Sequence, residues 1–231
     1  MSHNPKKIQH ISTFEGYDAW SEEYDQFNNP LISLADFALQ NHPLLVEDKV
    51  ILELGCGTGR NIRHIQKGGY KKYIGIDGSK LMLSKARNAY SAKTEFILAD
   101  LSGPLPIEDG VIDIILISLV LEHLKDLNQI LKECSRVLKK GGQLRILEIH
   151  EDLTSKGVGA HFEKDGVTFV LPSYIHSQEE FRISLSENQF NDYSFTNLSP
   201  TKSMIEKMPK LSKHEGKAML LDIVAYEGEK V

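Results

Sequence analysis

Residues 50–60 read Val-Ile-Leu-Glu-Leu-Gly-Cys-Gly-Thr-Gly-Arg, and no other stretch restricts the fold as tightly. Val50, Ile51, Leu52 and Leu54 form a short apolar run broken only by Glu53, the pattern of a strand buried on both faces. The run ends in Gly55, Gly57 and Gly59, and a helix-compatible stretch follows. Glycine lets the backbone bend sharply and lets a ligand lie against it with no Cβ in the way. In an open α/β sheet, a glycine turn between strand and helix is where nucleotide-like ligands bind. A dinucleotide turn reads G-x-G-x-x-G. Here the third glycine comes one residue earlier, Arg60 follows it, and Glu53 stands two residues before the first glycine.

The rest of the chain extends this unit. A helix is expected near 60–67, stopped by Gly68-Gly69, then a strand over 72–77 and a helix over 79–90 with Ser79 as its N-cap. A strand over 94–100 leads through a Gly/Pro loop to 111–118, which is nearly all apolar and so predicted to be central. Leu127, Ile130, Leu131, Cys134, Val137 and Leu138 follow helical spacing, with Asp126 suited to the start and Lys139-Lys140-Gly141 to the end. A strand over 143–150 follows, and 151–176 reads as irregular. Ser177-x-x-Glu180 is a capping box for a helix over 177–189. Strands near 192–199 and 218–227 close the chain; no crossover helix separates them, so they are expected to pair antiparallel. The polar, Lys-rich stretch 200–217 between them reads as a solvated loop. Ahead of the first strand, Tyr17, Trp20, Tyr24, Phe27, Leu31, Leu34 and Leu39 fall at roughly helical spacing, and residues 1–12 are polar and expected to fray. The organisation predicted is a small helical N-terminal cap over 1–45 and a doubly wound α/β domain over 46–231, with a lid insert at 151–176.

Bulk properties exclude several classes. A chain of 231 residues suffices for one α/β domain, and 41% hydrophobic with 26% charged residues is an ordinary globular balance. A net charge of −5 gives no reason to expect nucleic acid. The longest apolar run, Val111–Val120, holds Asp113 and Ser118 and is strand-sized, so no membrane span is expected. No signal-peptide core is present, and Cys56 and Cys134 lie far apart, as suits reduced thiols in a cytoplasmic protein, monomeric or a homodimer.

Polar residues at strand ends line up with the glycine turn. Asp77 ends the second strand 18 residues after Gly59, where a carboxylate accepts both hydrogen bonds of a ribose diol. Asp100 ends the third strand and precedes Leu101; a carboxylate beside a backbone N–H reads the amine and ring nitrogen of adenine. Ser118 and Leu119 end the fourth strand, at the mouth where a reacting group would sit. Plainer readings stand beside these: the glycines as a bare turn, Asp77 as a helix cap in competition with Ser79, and Cys56 as small packing.

Glu53-Leu-Gly-Cys-Gly-Thr-Gly59, Gly75-Ile-Asp77, Ala99-Asp100-Leu101, Leu121-Glu-His123 and Val137-Leu-Lys-Lys-Gly-Gly142 together resemble the ordered motifs of the class I S-adenosylmethionine (SAM) methyltransferases of the type 11 group. The pattern Tyr-Asp-x-Trp-x-x-x-Tyr-Asp over 17–25 is similar to that family as well. The resemblance implies a Rossmann-like, seven-stranded, mostly parallel sheet with a reversed last strand. It implies SAM contacts from Glu53, Gly55, Cys56, Gly57, Thr58 and Gly59, and from Asp77 and Asp100. Their neighbours Gly78, Ser79, Met82 and Leu101, with Ser118, His123 and Tyr24, complete the expected cofactor set. Glu122-His123 resembles part of a metal site in some quinone-precursor O-methyltransferases. Those carry a carboxylate three residues before the Glu, where this chain has Leu119, so no metal is expected.

Methyl transfer from a sulfonium is an in-line displacement for which the protein supplies alignment and shielding. A hydroxyl or carbon-acid acceptor needs a general base, and His serves near neutral pH. His150, His161 and His176 are the candidates, with Tyr17, Trp20, Tyr24 and Tyr174 expected to line the acceptor pocket. The Asn/Asp-Pro-Pro-Tyr signature of nucleobase amino-methylation and the double-Glu loop of arginine methylation are both missing, which leaves a small organic molecule as the expected acceptor. Two alternatives remain at this point: a SAM-binding regulator without catalysis, and a nicotinamide oxidoreductase, against which the glycine spacing argues.

Overall fold

In the computed structural model, which describes residues 7–26 and 29–228, the chain opens with β1 (Lys7–His10), α1 (Thr13–Trp20) and α2 (Pro30–Asn41). The α/β alternation then runs β2 (Val50–Leu54), α3 (Ile62–Ile65), β3 (Lys72–Asp77), α4 (Lys80–Ala89), β4 (Thr94–Leu98) and β5 (Ile112–Ser118). It continues through α5 (Leu127–Val137), β6 (Leu138–Ile149), α6 (Glu151–Thr154), β7 (His161–Lys164) and β8 (Val167–Val170). The chain closes with α7 (Gln178–Glu187), β9 (Phe190–Leu198), α8 (Lys202–Lys207) and β10 (Leu220–Glu227). Ser79 and Asp126 cap α4 and α5 as their sequence positions predict.

Seven strands form the main sheet in the order β4-β3-β2-β5-β6-β10-β9. β10 runs antiparallel to both β6 and β9, and the other pairs are parallel. The expected doubly wound sheet with a reversed last strand is therefore present. Alternate residues of β5 feed the two faces: Ile115 and Ile117 pack with α5 and α7, Ile114 and Leu116 with α2 and α3. Each fully buried Leu or Ile contributes about 1.5–3 kcal/mol, so the apolar run of β5 anchors the sheet from both sides. Buried Arg145 on β6 pairs with Asp222 on β10 through bonds of 2.9 and 3.1 Å and donates to the Ala38 and His42 carbonyls. This pair fastens the end of α2 to the reversed strand.

A second sheet, β1-β8-β7, corrects two expectations. Residues 7–10, expected to fray, pair in parallel with Val167–Val170. Residues 161–170, expected to be irregular, form a hairpin whose turn residues Asp165 and Gly166 both have positive φ, the geometry of a tight Asp-Gly turn. Strands of four residues whose pairing partner lies far along the chain, as β1 and β8 do, give little local signal. The stretch 200–217 likewise carries α8 and a 3₁₀ segment, Pro209–His214. The helix at 60–67 shortens to α3 with a 3₁₀ turn. Lys139–Gly141 belong to β6 rather than to a helix end, because a register shift opposite Ile112–Ile114 absorbs them. Phe27, part of the N-terminal aromatic pattern, lies outside the described residues.

Candidate functional site

The glycine turn sits at the carboxyl end of β2, and its three glycines have φ of 67°, 54° and 79°. The Gly55 and Cys56 N–H groups both donate to the Ile76 carbonyl, at 2.8 and 3.0 Å, which bends the chain back over β3. A Cβ on Gly55 would lie 2.3 Å from a Val120 methyl, whereas one on Gly57 would meet nothing within 4 Å. Gly55 is thus required by packing and Gly57 faces open space. Asp77 secures the turn: one carboxylate oxygen accepts the Gly57 N–H at 2.7 Å, the other the Ser79 N–H at 2.8 Å. Burial raises the Asp77 carboxyl above its ordinary value in spite of these bonds. The Cys56 thiol, packed against Gly75, is also pushed up by burial, which suits packing and not nucleophilic chemistry.

This turn borders a cavity of about 350 Å³. Of the residues expected to contact the cofactor, Gly55, Cys56, Gly57, Thr58, Asp77, Gly78, Met82, Asp100, Leu101, Ser118, His123 and Tyr24 line this cavity. Glu53, Gly59 and Ser79 do not border it. Glu53 lies behind the wall, accepting from Tyr73 Oη at 2.5 Å and Asn61 Nδ2 at 2.7 Å, and burial pushes its carboxyl up to about 7. Ser79 spends its hydroxyl on capping α4 and on Asp18 at 2.5 Å. These residues shape the turn rather than face a ligand.

The N-terminal aspartates explain the Tyr-Asp pattern. Asp18 binds Ser79 and the Leu81 N–H, and Asp25 accepts from Thr58 Oγ1 at 2.8 Å, so α1 and the segment after it are fastened directly to the site. Phe14 lies on Gly78, where a Cβ would come within 2.1 Å of its ring. Arg60 also lines the cavity, donating to Ser118 Oγ at 2.9 Å. Sequence reasoning used Arg60 only for glycine spacing and overlooked Phe14; the position of Arg60 directly after the turn was the one available signal.

His123 has a defined tautomer. Its Nδ1 is 2.7 Å from the Pro172 carbonyl, which only accepts, so Nδ1 carries the proton and Nε2 accepts from Tyr17 Oη at 2.9 Å. Burial raises Tyr17 well above, and Tyr24 above, the ordinary phenol value, so both are neutral phenols.

A second cavity, of about 340 Å³, adjoins the first, and Tyr17, Tyr24 and Leu119 line both. Leu119 has φ of +60°, a left-handed conformation for a non-glycine residue, which costs about 1–3 kcal/mol. Trp20, Glu122 and His161 line the second cavity alone. Buried Glu122 accepts from Ser173 Oγ at 3.0 Å. Beneath it, Glu148 accepts the Val120, Leu121 and Ile149 N–H groups, and burial with the nearby Glu122 pushes it up to about 8.

The three candidate bases separate. His161 is exposed and borders the second cavity. His150 and His176 are buried and border neither, which corrects the expectation for both. His150 caps α6, accepting the Asp152 N–H, and meets the Gln178 amide at 3.1 Å. His176 has both nitrogens engaged within the protein, one with the Glu180 carboxylate at 3.0 Å and the other with the Leu121 and Leu124 carbonyls, so neither faces a substrate. Tyr174, expected at the acceptor, borders the first cavity instead.

The first cavity fits SAM on a structural ground: its lining is bare backbone at Gly57, a cradle that a Cβ would fill, and the acidic residues Asp77 and Asp100 border it. A glycine turn after the first strand of a seven-stranded sheet, acidic residues closing the next two strands, and a reversed β10 define a class I methyltransferase fold. A family model described as a methyltransferase domain matches residues 52–146. A demethylmenaquinone methyltransferase of Thermotoga maritima is 27% identical over 206 residues, 87% of this chain and 85% of that protein. An uncharacterized protein of Methanocaldococcus jannaschii is 30% identical over 206 residues, covering 87% and 91%. Among solved structures, a SAM-dependent methyltransferase of Mesorhizobium loti aligns with a TM-score of 0.72 at 20% identity, over 84% of this chain and 97% of that one. This chain belongs to the class I SAM-dependent methyltransferases, and SAM is its cofactor. Among the described residues, no helix is long and apolar enough to cross a membrane.

Proposed function

We propose that the first cavity holds SAM and the second holds the methyl acceptor, a small organic molecule. The observation that carries this reading is the wall of Tyr17, Tyr24 and Leu119 common to the two cavities. Bound SAM supplies an electrophilic methyl for in-line displacement. The glycine turn, Asp77 and Asp100 hold the cofactor, while α1 and residues 151–176 close over it as a cap. Neutral Tyr17 and Tyr24 line the passage without presenting a charge, and the apolar lining excludes water. His161 and Glu122, both at the second cavity, are the groups placed to take a proton from the acceptor. The Thermotoga relative, named for demethylmenaquinone, supports a small-molecule acceptor.

The reading is tested by titrating S-adenosylhomocysteine calorimetrically and by screening small hydroxylated, carboxylated and amine compounds with labelled SAM. Binding in the micromolar range, about −8 kcal/mol, is expected. Val158→Trp narrows the second cavity and should abolish turnover of any acceptor found while leaving S-adenosylhomocysteine affinity intact. Parent-rate turnover by that variant would place the acceptor elsewhere.

A further inference from the structure

The second cavity is unevenly charged. Lys210, Lys213 and His214, from the 3₁₀ segment after α8, line it together with His161, whereas Glu122 is its one carboxylate among the described lining residues. In a chain of net charge −5, this is a local reversal. Burial separates the two ends: Glu122 is 6% exposed and lies three residues beyond the Leu119 wall, while Lys210 and Lys213 are exposed. Between them the lining is apolar, with Trp20, Ile149, Leu153 and Met219 all buried. No described carboxylate forms an ion pair with Lys213 or His214. The His214 imidazole is held below its ordinary value first by burial, then by Lys213, Lys217 and Lys156, so the charges that reach it are all positive.

We propose that the acceptor is an apolar molecule bearing an anionic group, a carboxylate or phosphate received by Lys213 and His214 at the outer end, with its nucleophilic hydroxyl or amine at the Tyr17–Leu119 wall. An anion there meets the Lys213 ammonium and a His214 N–H donor, neither of which a described carboxylate pairs with. The reacting proton then lies at the end where Glu122 is buried. This inference rests on the second cavity being the acceptor site.

Trp20 is the only tryptophan of the chain and lines this cavity, so its fluorescence reports directly on occupancy. The full-length protein saturated with S-adenosylhomocysteine is titrated with naphthalene-2-carboxylate, 2-naphthyl phosphate and the neutral naphthalene-2-carboxamide. At least one anionic probe should bind about tenfold or more tighter than the carboxamide, a difference of about 1.4 kcal/mol. The better of the two identifies the group. That preference should shrink in about 0.5 M NaCl, because exposed charges are screened. Lys213→Gln and, separately, His214→Gln should each lose most of the preference. Unchanged S-adenosylhomocysteine affinity shows that each variant is folded, since neither residue borders the first cavity. Equal binding of carboxamide and anions with Trp20 responding to both would overturn the anion assignment and leave the acceptor cavity standing. No Trp20 response to any probe, together with parent-rate turnover by Val158→Trp, would overturn the acceptor reading and this inference with it.

Discussion

Replacing Asp77 by Asn separates the two tasks of its carboxylate. In the folded protein both oxygens accept backbone N–H groups, from Gly57 at 2.7 Å and Ser79 at 2.8 Å. An Asn amide accepts at one position only and turns an NH₂ toward the other donor. Hydrogen bonds to a charged group are worth about 1.5–3 kcal/mol each. Removing the charge also recovers part of the burial cost that raises this carboxyl. The stability loss should therefore fall at the low end, about 1.5 kcal/mol, or roughly 3–6 °C in melting temperature for a chain of this length. Cofactor affinity has no such offset. If Asp77 holds the ribose through a charge-assisted bond, S-adenosylhomocysteine should bind about 10–150-fold more weakly, the equivalent of 1.5–3 kcal/mol. Thermal unfolding with and without ligand measures both effects, and calorimetry gives the affinity. Asp100→Ala is the control: Asp100 is exposed and, among the described residues, its carboxylate holds only the Ser102 N–H, so its loss should weaken binding with little change in the ligand-free melt. Parent-like affinity in Asp77→Asn would refute the ribose assignment, whatever the melt shows.

Gly55→Ala and Gly57→Ala should part company. The first drives a Cβ to within 2.3 Å of Val120 and should lower stability by about 2 kcal/mol or more; the second should cost about 1 kcal/mol and act mainly on ligand affinity, read by the same two assays. Glu53 is pushed from 4.5 to about 7 by burial, so the folded protein binds its proton more tightly than the unfolded chain does. Its stabilising effect is complete below about pH 4.5 and is lost as pH rises through about 7, some 3 kcal/mol in all. Denaturant melts at pH 5 and 8 should show a steeper loss in the parent than in Glu53→Gln, the remaining slope coming from Glu148, whose carboxyl burial raises to about 8; an unchanged slope in the variant would assign all of it to other groups. His176→Ala should lower stability through its lost Glu180 and carbonyl contacts, whereas His161→Ala should leave the melt unchanged and cut turnover more than tenfold if it is the base. Parent-rate turnover in His161→Ala with a defect in Glu122→Gln would move that role to Glu122.

Much of this molecule is determined locally. The apolar run Val50–Leu54, the glycines behind it and the carboxylates ending β3 and the following strand require a buried parallel strand, a sharp turn and a polar ligand edge, because period, φ and charge are properties of neighbouring residues. The caps Ser79 and Asp126 act within one helical turn and were equally legible. The second cavity was not. Trp20, Leu119 with Glu122, His161 and Lys213 come from four separate stretches, and long-range contacts such as the closure of β1 on β8, the packing of Trp20 on Phe162 and the Asp18–Ser79 bond bring the cap over the sheet. The same holds for the histidines. Sequence placed all three near one segment, but only tertiary structure turned His150 and His176 onto backbone and side-chain partners and left His161 at the cavity. A lysine-rich stretch such as 200–217 is ordinarily solvated, and nothing in its composition reports that Pro209–His214 folds back against an apolar cavity. Cofactor recognition rests on backbone geometry that short motifs encode, whereas acceptor recognition rests on side chains that meet only after long-range contacts close, which the order of residues along the chain does not record.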